Sequence, residues 1–546
     1  MTRRTTFSPG LLVILAFALF TLASAQTTPP YVQYLPLIIN PLSAPVLKWQ
    51  RLGCYSSWCE TGWYSSPAVV NLDADPQGEI VASAYSIWAF DGDSGAILWR
   101  TRSGHDTTEN FDSVSNVGRT WPGVAVANVD GTGQPEIVTA HSGGWVAVYD
   151  LNGRFKPGWP QRPTTAELRG LLVADLDGDG GSLEVIVTAA VGSKTNTWVY
   201  NANGTLRGGW PQLTRNDGYA WGVYNANGAA GNLDTSDARL ELVIPSDVHY
   251  IQAYRPDGTS LPAGGIYGGK TWGQVGVWES AATELRGWGA CDGVRVESYR
   301  ANFADGPAVI ADVNGDGSRE VVTVGNMVDC KAGYPPSRYM ALFLFNPDRT
   351  RFKASEFDWT NIPVDTGAPI AEDYNVIESA EPNPVVADLD GDGRQEMLFA
   401  SYDGRVHAFW LDKSEHGSWP YAVFRASEGI KRFASEPVVA DLDCDGKAEV
   451  LFTSWVEKGS NQTGKLHLLN YLGQVIAEVS LPAGFNASWN GAMAAPTLAN
   501  VDSDPQLEAV INSAHSGVLV YDLPGSGACN LQWPTGRGNL ARTGSR

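Results

Sequence analysis

Eight times along the chain an apolar run enters a carboxylate-rich turn and a second apolar run leaves it, and this repetition constrains the fold more than any other feature. The clearest copy starts with Val385-Val386-Ala387, continues as Asp388-Leu389-Asp390-Gly391-Asp392-Gly393-Arg394-Gln395-Glu396, and leaves through Met397-Leu398-Phe399. Side-chain oxygens stand at turn positions 1, 3, 5 and 9, and Gly393 stands at position 6, where the backbone must bend sharply. A loop of that design aims several oxygens at one point, which suits a hard cation such as calcium with its roughly six to eight oxygen ligands. The EF-hand loop opens in the same way, but its last carboxylate lies further on and helices flank it. Glu396 instead runs straight into a strand-like sequence, so a turn between strands is expected.

The remaining copies begin at Asn71, Asn128, Asp175, Asn232, Asp312, Asp441 and Asn500. Successive starts are 57, 47, 57, 80, 76, 53 and 59 residues apart, a spacing that fits one four-stranded propeller blade per repeat with insertions in the fourth and fifth gaps. Short apolar runs such as Ala68-Val69-Val70, Ile80-Val81-Ala82, Ile87-Trp88-Ala89-Phe90 and Ile97-Leu98-Trp99, separated by Gly, Asp and Asn, read as the four strands of a blade. The chain is therefore expected to be all-β, an eight-bladed propeller with seven blades as the alternative. A closed ring is preferred to a solenoid. Val46-Leu47-Lys48-Trp49 and Leu531-Gln532-Trp533-Pro534 are both strand-like and could complete one shared blade, leaving no exposed edge.

Composition supports this reading, with 60 Gly, 32 Pro and 57 aromatic residues but only 18% charged residues. Residues 1–25 combine Arg3 and Arg4, an apolar run from Leu11 to Leu22 and Ala23-Ser24-Ala25, the pattern of a secretory signal peptide. Residues 26–45 read as a linker, 46–540 as the propeller and 541–546 as a C-terminal tail. No later stretch matches a membrane span, so a secreted, extracellular or cell-surface monomer is expected. Loss of Arg3 and Arg4 takes the net charge from -21 to -23, which disfavours nucleic acid as a partner. Six cysteines in a secreted chain suggest disulfides. Cys54 and Cys59 are close enough for a local loop, Cys291 and Cys330 bracket one repeat turn, and elimination leaves Cys444 with Cys529.

On these residues the units resemble the FG-GAP or VCBS repeats of secreted bacterial proteins, similar to those of the integrin α-chain propeller. The resemblance covers about residues 60 to 523 and implies a D-x-[DN]-x-D-G-x-x-[DE] loop that binds calcium between blade strands. The ligands it implies are Asp312, Asn314, Asp316 and Glu320; Asp388, Asp390, Asp392 and Glu396; Asp441, Asp443, Asp445 and Glu449; and Asp175, Asp177, Asp179 and Glu184. Several structural calcium ions are the expected cofactors. Four turns depart from the pattern: Pro76 and Pro505 replace the turn glycine, and Thr132 and Ser236 replace an acid. Ala89-Phe90-Asp91-Gly92-Asp93-Ser94-Gly95-Ala96-Ile97-Leu98-Trp99 also looks like a blade motif of quinoprotein-like propellers, and it occurs cleanly once.

No G-x-S-x-G elbow, H-E-x-x-H zinc motif or sialidase-type box is present. His141 and His515 occupy equivalent hairpins in their repeats, which points to a turn role. An insertion from about Ile266 to Phe303 carries Trp272, Trp278 and Trp288 among Gly and Arg residues, as a ligand-binding loop would; packing against the neighbouring blade is the other reading. The expected function is a calcium-stabilised extracellular binding or adhesion module for a glycan or protein ligand, without catalysis. A polysaccharide lyase or hydrolase is the first alternative, and a quinoprotein-like oxidoreductase, which needs an axial cofactor cavity, is the second.

Overall fold

The computed structural model describes residues 41–52, 62, 64–73, 75–102, 119–192, 194–212, 215–216, 219–220, 222–223, 227–285, 299–328, 339–354, 356–364 and 383–546. The expected signal peptide, most of the linker, Cys54, Cys59, Cys291, Cys330 and Trp288 lie outside them.

Eight small antiparallel sheets form the eight blades of a β-propeller. Their inner strands, each leading into one acidic turn, are Ala68–Val70, Ala125–Ala127, Leu168–Ala174, Ala229–Gly231, Ala308–Ala311, Val385–Ala387, Val438–Asp441 and Thr497–Ala499. The second strand of each blade opens on the closing glutamate of its turn, as in Glu79–Ser83, Glu320–Val328 and Glu449–Val456, and every residue of these three strands is buried. Continuous rather than alternating apolarity follows, because both faces of a blade pack against neighbouring blades.

Val46–Arg51 supplies the outer strand of blade eight, pairing antiparallel with Val518–Asp522. The blade joints use one repeated device. Indole N–H groups of Trp49, Trp99, Trp159, Trp210, Trp272, Trp359 and Trp419 donate across seven successive joints to the carbonyls of Gly92, Leu151, Ala202, Pro256, Pro347, Leu411 and Tyr471. Trp49 makes the joint that closes the ring, within a core shared by Ile80, Trp88 and Phe90 of blade one and Val510 and Val520 of blade eight.

The other chain end departs from expectation. Asn530–Trp533 does not join blade eight; it pairs antiparallel with the inner strand of blade seven, on the propeller axis. The Cys444–Cys529 disulfide, with its Cα atoms 5.5 Å apart, ties the start of this segment to the seventh turn. Residues 534–546 then follow the inner strands round the ring. The amides of Leu498, Val126, Val173, Ala230 and Ile310, each two residues ahead of its turn, donate to the carbonyls of Pro534, Leu540, Ala541, Thr543 and Gly544 at 2.8 to 2.9 Å. In blade one the partner is Arg542, whose guanidinium donates to the carbonyls of Ser66 and Pro67; in blade six Arg546 donates to Val386. An inner strand has no sheet neighbour on its axial side, so its backbone polar groups need partners from elsewhere. The C-terminal segment supplies them to all eight blades, and residues 541–546 are an axial strap rather than a tail beyond the propeller.

Candidate metal centres and the axial face

All eight turns share one internal plan. The closing glutamate, at position 9 in six turns and at position 10 in the third and fourth, which carry one extra residue, is buried, and one of its oxygens accepts the position-2 amide: Leu72 to Glu79, Val129 to Glu136, Leu176 to Glu184, Leu233 to Glu241, Val313 to Glu320, Leu389 to Glu396, Leu442 to Glu449 and Val501 to Glu508. At position 1, Asp388 accepts the amides of Gly391 and Gly393 at 2.7 and 2.9 Å; Asp312 and Asp175 do the same in their turns. Gly391 and Gly393 take φ of 78° and 88°, the left-handed region that a side chain disfavours. Position 4 of the seventh turn takes the same conformation with Cys444, φ 65°.

These bonds leave the second glutamate oxygen facing the aspartates. Ligand oxygens lie within 4.8 Å of one another in four turns: Asp73, Asp75 and Glu79; Asp388, Asp390 and Glu396; Asp441, Asp443 and Glu449; and Asp502, Asp504 and Glu508. The first and last of these are turns with a proline at the bend. Burial, reinforced by the neighbouring aspartates, pushes Glu396 up to about 9 and Glu320, Glu449 and Glu508 up to about 8. Asp441 Oδ1 and Glu508 Oε1 are buried without a hydrogen-bond partner. Clustered, desolvated carboxylates of this kind are relieved by a cation or a proton. The donor set is all hard oxygen, which fits calcium, magnesium or manganese better than zinc or copper. In the fifth turn Asn314 takes position 3 and donates to Asp316 at 3.0 Å.

Some turns hold a cation that comes from the chain itself, and the turn sequences alone did not reveal it. Lys156 Nζ lies 2.7 Å from Asp130 and 2.9 Å from Glu136 in the second turn. Arg207 lies 2.5 Å from Asp177 and 2.8 Å from Glu184 in the third. Lys48, on the closing strand, pairs with Asp502 in the eighth turn and with Asp93 of blade one at 3.2 Å. The hydrogen bond from Arg207 lowers the pKa of Asp177, and that from Lys156 lowers that of Asp130. A sequence signal for the first two exists: both stand three residues ahead of a Trp-Pro pair, Trp159-Pro160 and Trp210-Pro211.

The aromatic candidates of the insertion face inward. Trp272 is 0% exposed and is one of the blade-joint tryptophans; Trp278 is 2% exposed. The insertion is pinned beside them by Glu284, fully buried, which lies 2.6 Å from Arg351 and 3.5 Å from Arg349. His141 is also buried, its Nε2 2.8 Å from Thr139. Ser454, His467 and Glu478 form a chain of contacts, with Ser454 Oγ 3.0 Å and Glu478 3.6 Å from the imidazole, a grouping that no sequence motif marks. Ser454 is 0% exposed and accepts the amide of Lys465, so its oxygen is not presented to a substrate.

At the end of the axis opposite the acidic turns lies a pocket lined by Tyr64, Trp121, Asn227, Asn383, Glu436 and Arg537. Glu436 is held by Asn383, by the Trp533 indole and by the Arg537 amide at 2.6 to 2.9 Å. The cavity is about 20 Å³, room for a water rather than a cofactor. Beside it Arg119 and Arg169 both stack on Trp121 and both bond Glu167, the latter at 2.7 and 2.9 Å.

Fold and turns together define an eight-bladed propeller with repeated acidic, oxygen-rich turns. The sequence of residues 388–452 matches an FG-GAP-like repeat. The fold is similar to that of the exotype rhamnogalacturonan lyase YesX, with 14% identity, a TM-score of 0.50, and 92% of this chain and 80% of that chain covered. The rhamnogalacturonan lyase YesW is similar at 16% identity and a TM-score of 0.49, with the same coverage. BamB from Moraxella catarrhalis gives 15% identity and a TM-score of 0.43 over 84% of this chain and 99% of that one. No curated protein matches in sequence.

Proposed function

We propose that this chain is an extracellular binding module, a propeller whose acidic turns hold structural calcium and whose ligand is a glycan or a protein. The observation that carries this reading is the filled axis. The C-terminal segment bonds the inner strands of seven blades and the residues just ahead of the inner strand of blade one, and the axial pocket among the described residues is about 20 Å³, so ligand contact falls to the outer surface. Metal in the turns would cross-link two strands of one blade and stabilise the fold, adding stability by mass action without any part in catalysis. The N-terminal sequence pattern and the Cys444–Cys529 disulfide support an oxidising, extracellular location. The test is a glycan and extracellular-matrix array with and without calcium, paired with melting curves in EDTA. Calcium-dependent retention of a ligand and a melting temperature lowered by EDTA are expected; an unchanged melting curve would remove calcium from the account.

A second reading, action on an acidic polysaccharide, draws on Arg119, Glu167 and Arg169 converging beside Trp121 at the axial face. Incubation with pectic polysaccharides, followed by ultraviolet absorbance of unsaturated products, separates the two. Turnover would favour the enzyme, and retention without turnover the binding module.

A further inference from the structure

The eight turns share a backbone plan but differ in where their positive charge comes from. In the second turn Lys156 Nζ bridges Asp130 and Glu136; in the third the Arg207 guanidinium bridges Asp177 and Glu184, and its Nε also reaches the Pro256 carbonyl of the next blade at 3.2 Å. In both turns the cation takes the glutamate oxygen that the position-2 amide leaves free, together with the position-3 aspartate. Those are two of the oxygens that a bound ion would bring together.

Both cations come from the same place in their repeats. The amides of Lys156 and Arg207 bond the carbonyls eight residues back, Val148 and Val199, at 2.9 Å. Leu261 and Phe352 hold that place in blades four and five, with the same bond to Ala253 and Leu344 at 2.9 Å. In blade six the residue three ahead of Trp419-Pro420 is His416, which bonds Ser414 at 2.8 Å and leaves its turn alone. Among the described residues, no lysine or arginine side-chain nitrogen comes within 4 Å of the carboxylates of the turns at Asp312, Asp388 and Asp441; Arg546 of the C-terminal segment acts on Asp388 and Glu396 only through longer-range attraction. In the last of these turns Asp441, 7% exposed, keeps Oδ1 without a partner.

We propose that Lys156 and Arg207 are built-in cations that take the place of a bound ion in the second and third turns, leaving calcium to the turns at Asp312, Asp388 and Asp441. This rests on the calcium reading above and revises the sequence expectation for Asp175, Asp177, Asp179 and Glu184. That turn has a complete set of oxygen ligands, but Arg207 already neutralises two of them. A cation tethered to the chain cannot be removed by a chelator, so blades two and three hold their turns whatever the calcium concentration.

Calcium bound per full-length chain, measured by equilibrium dialysis and atomic emission, tests this on the wild type and on Asp390→Ala, Asp177→Ala and Arg207→Met. Asp390→Ala is expected to lose one ion, Asp177→Ala to keep the wild-type count, and Arg207→Met to gain one ion. A lower count in Asp177→Ala would put an ion in the third turn and overturn the proposal, as would an unchanged count in a folded Arg207→Met. If Arg207→Met fails to fold, the Asp177→Ala count still decides. A wild type that binds no calcium would sink the calcium reading itself, an outcome distinct from either.

Discussion

Ending the chain at Pro534 removes the acceptors of four inner-strand amides at once. Val126, Val173, Ala230 and Ile310 donate to Leu540, Ala541, Thr543 and Gly544, and none of the four has a sheet neighbour on that side. A buried backbone donor left unpaired costs roughly 1 to 3 kcal/mol. Four of them amount to roughly 4 to 12 kcal/mol, comparable with the whole stability of a typical domain at about 5 to 15 kcal/mol. Water entering the vacated axis would partner some of these groups, so the lower end of the range is expected. Hydrogen exchange followed by mass spectrometry reads the effect locally. At about 1 to 3 kcal/mol per amide, exchange in the peptides holding Val126, Val173, Ala230 and Ile310 should accelerate roughly 5- to 150-fold. The second strands, such as Glu184–Ala189, pair on both sides and should lose far less protection. Unchanged exchange at the inner strands of the truncated chain would refute the axial strap. Uniform acceleration across all strands would show global unfolding instead, and the single change Arg542→Met, which removes the guanidinium contacts to Ser66, Pro67 and Val124 but leaves the backbone acceptors of the strap in place, would then be used to localise the loss.

Three further outcomes follow from the same geometry. Replacing Cys444 and Cys529 by Ala opens a loop with a sequence separation of 85 residues, for which chain entropy gives a loss of about 4 to 5 kcal/mol, read as a lower denaturation midpoint that reductant shifts less than it shifts that of the wild type. Glu284→Gln leaves Arg349 and Arg351 buried without their carboxylate, a cost of about 3 to 5 kcal/mol; wild-type stability in that variant would mean the insertion is not pinned by this cluster. His407 lies 3.0 Å from Asp403 and 3.2 Å from Glu415; burial opposes its charge, but the two carboxylates outweigh burial and carry its pKa from 6.5 to about 9. Its folded pKa is raised, so its contribution is complete below the unfolded value and is lost as pH rises through about 9. The stability gap between wild type and His407→Gln, followed by thermal denaturation, should therefore narrow between about pH 7 and about pH 10, and a constant gap would contradict the charged imidazole.

What could be read from the sequence was what is local. Each turn makes its own bonds within nine residues, as Asp388 does with Gly391 and Gly393 and Glu396 with Leu389, so the pattern of residues and the structure coincide copy by copy. The cations of blades two and three lie further off, Lys156 and Arg207 standing 20 and 23 residues beyond Glu136 and Glu184, but each is three residues ahead of a Trp-Pro pair, and they were legible to a reading that aligned the outer parts of the repeats as well as their turns. The strap was not legible by any such route. Gly536-Arg537-Gly538-Asn539-Leu540-Ala541-Arg542-Thr543-Gly544 is polar and glycine-rich, which in isolation reads as a solvated tail. Its partners are hundreds of residues away, with Arg542 reaching Pro67 and Arg537 reaching Gly228, and no period links them. The physical need it meets was nonetheless implicit in the fold that the repeats predict. A closed ring removes the outer edges of its sheets but leaves eight inner edges facing one another across the axis, each with amides that a blade cannot satisfy alone. In this chain a polar C-terminus rich in backbone acceptors and carrying two buried arginines meets that need. The same polarity that makes residues 535–546 look dispensable is therefore what fits them to the centre of the molecule.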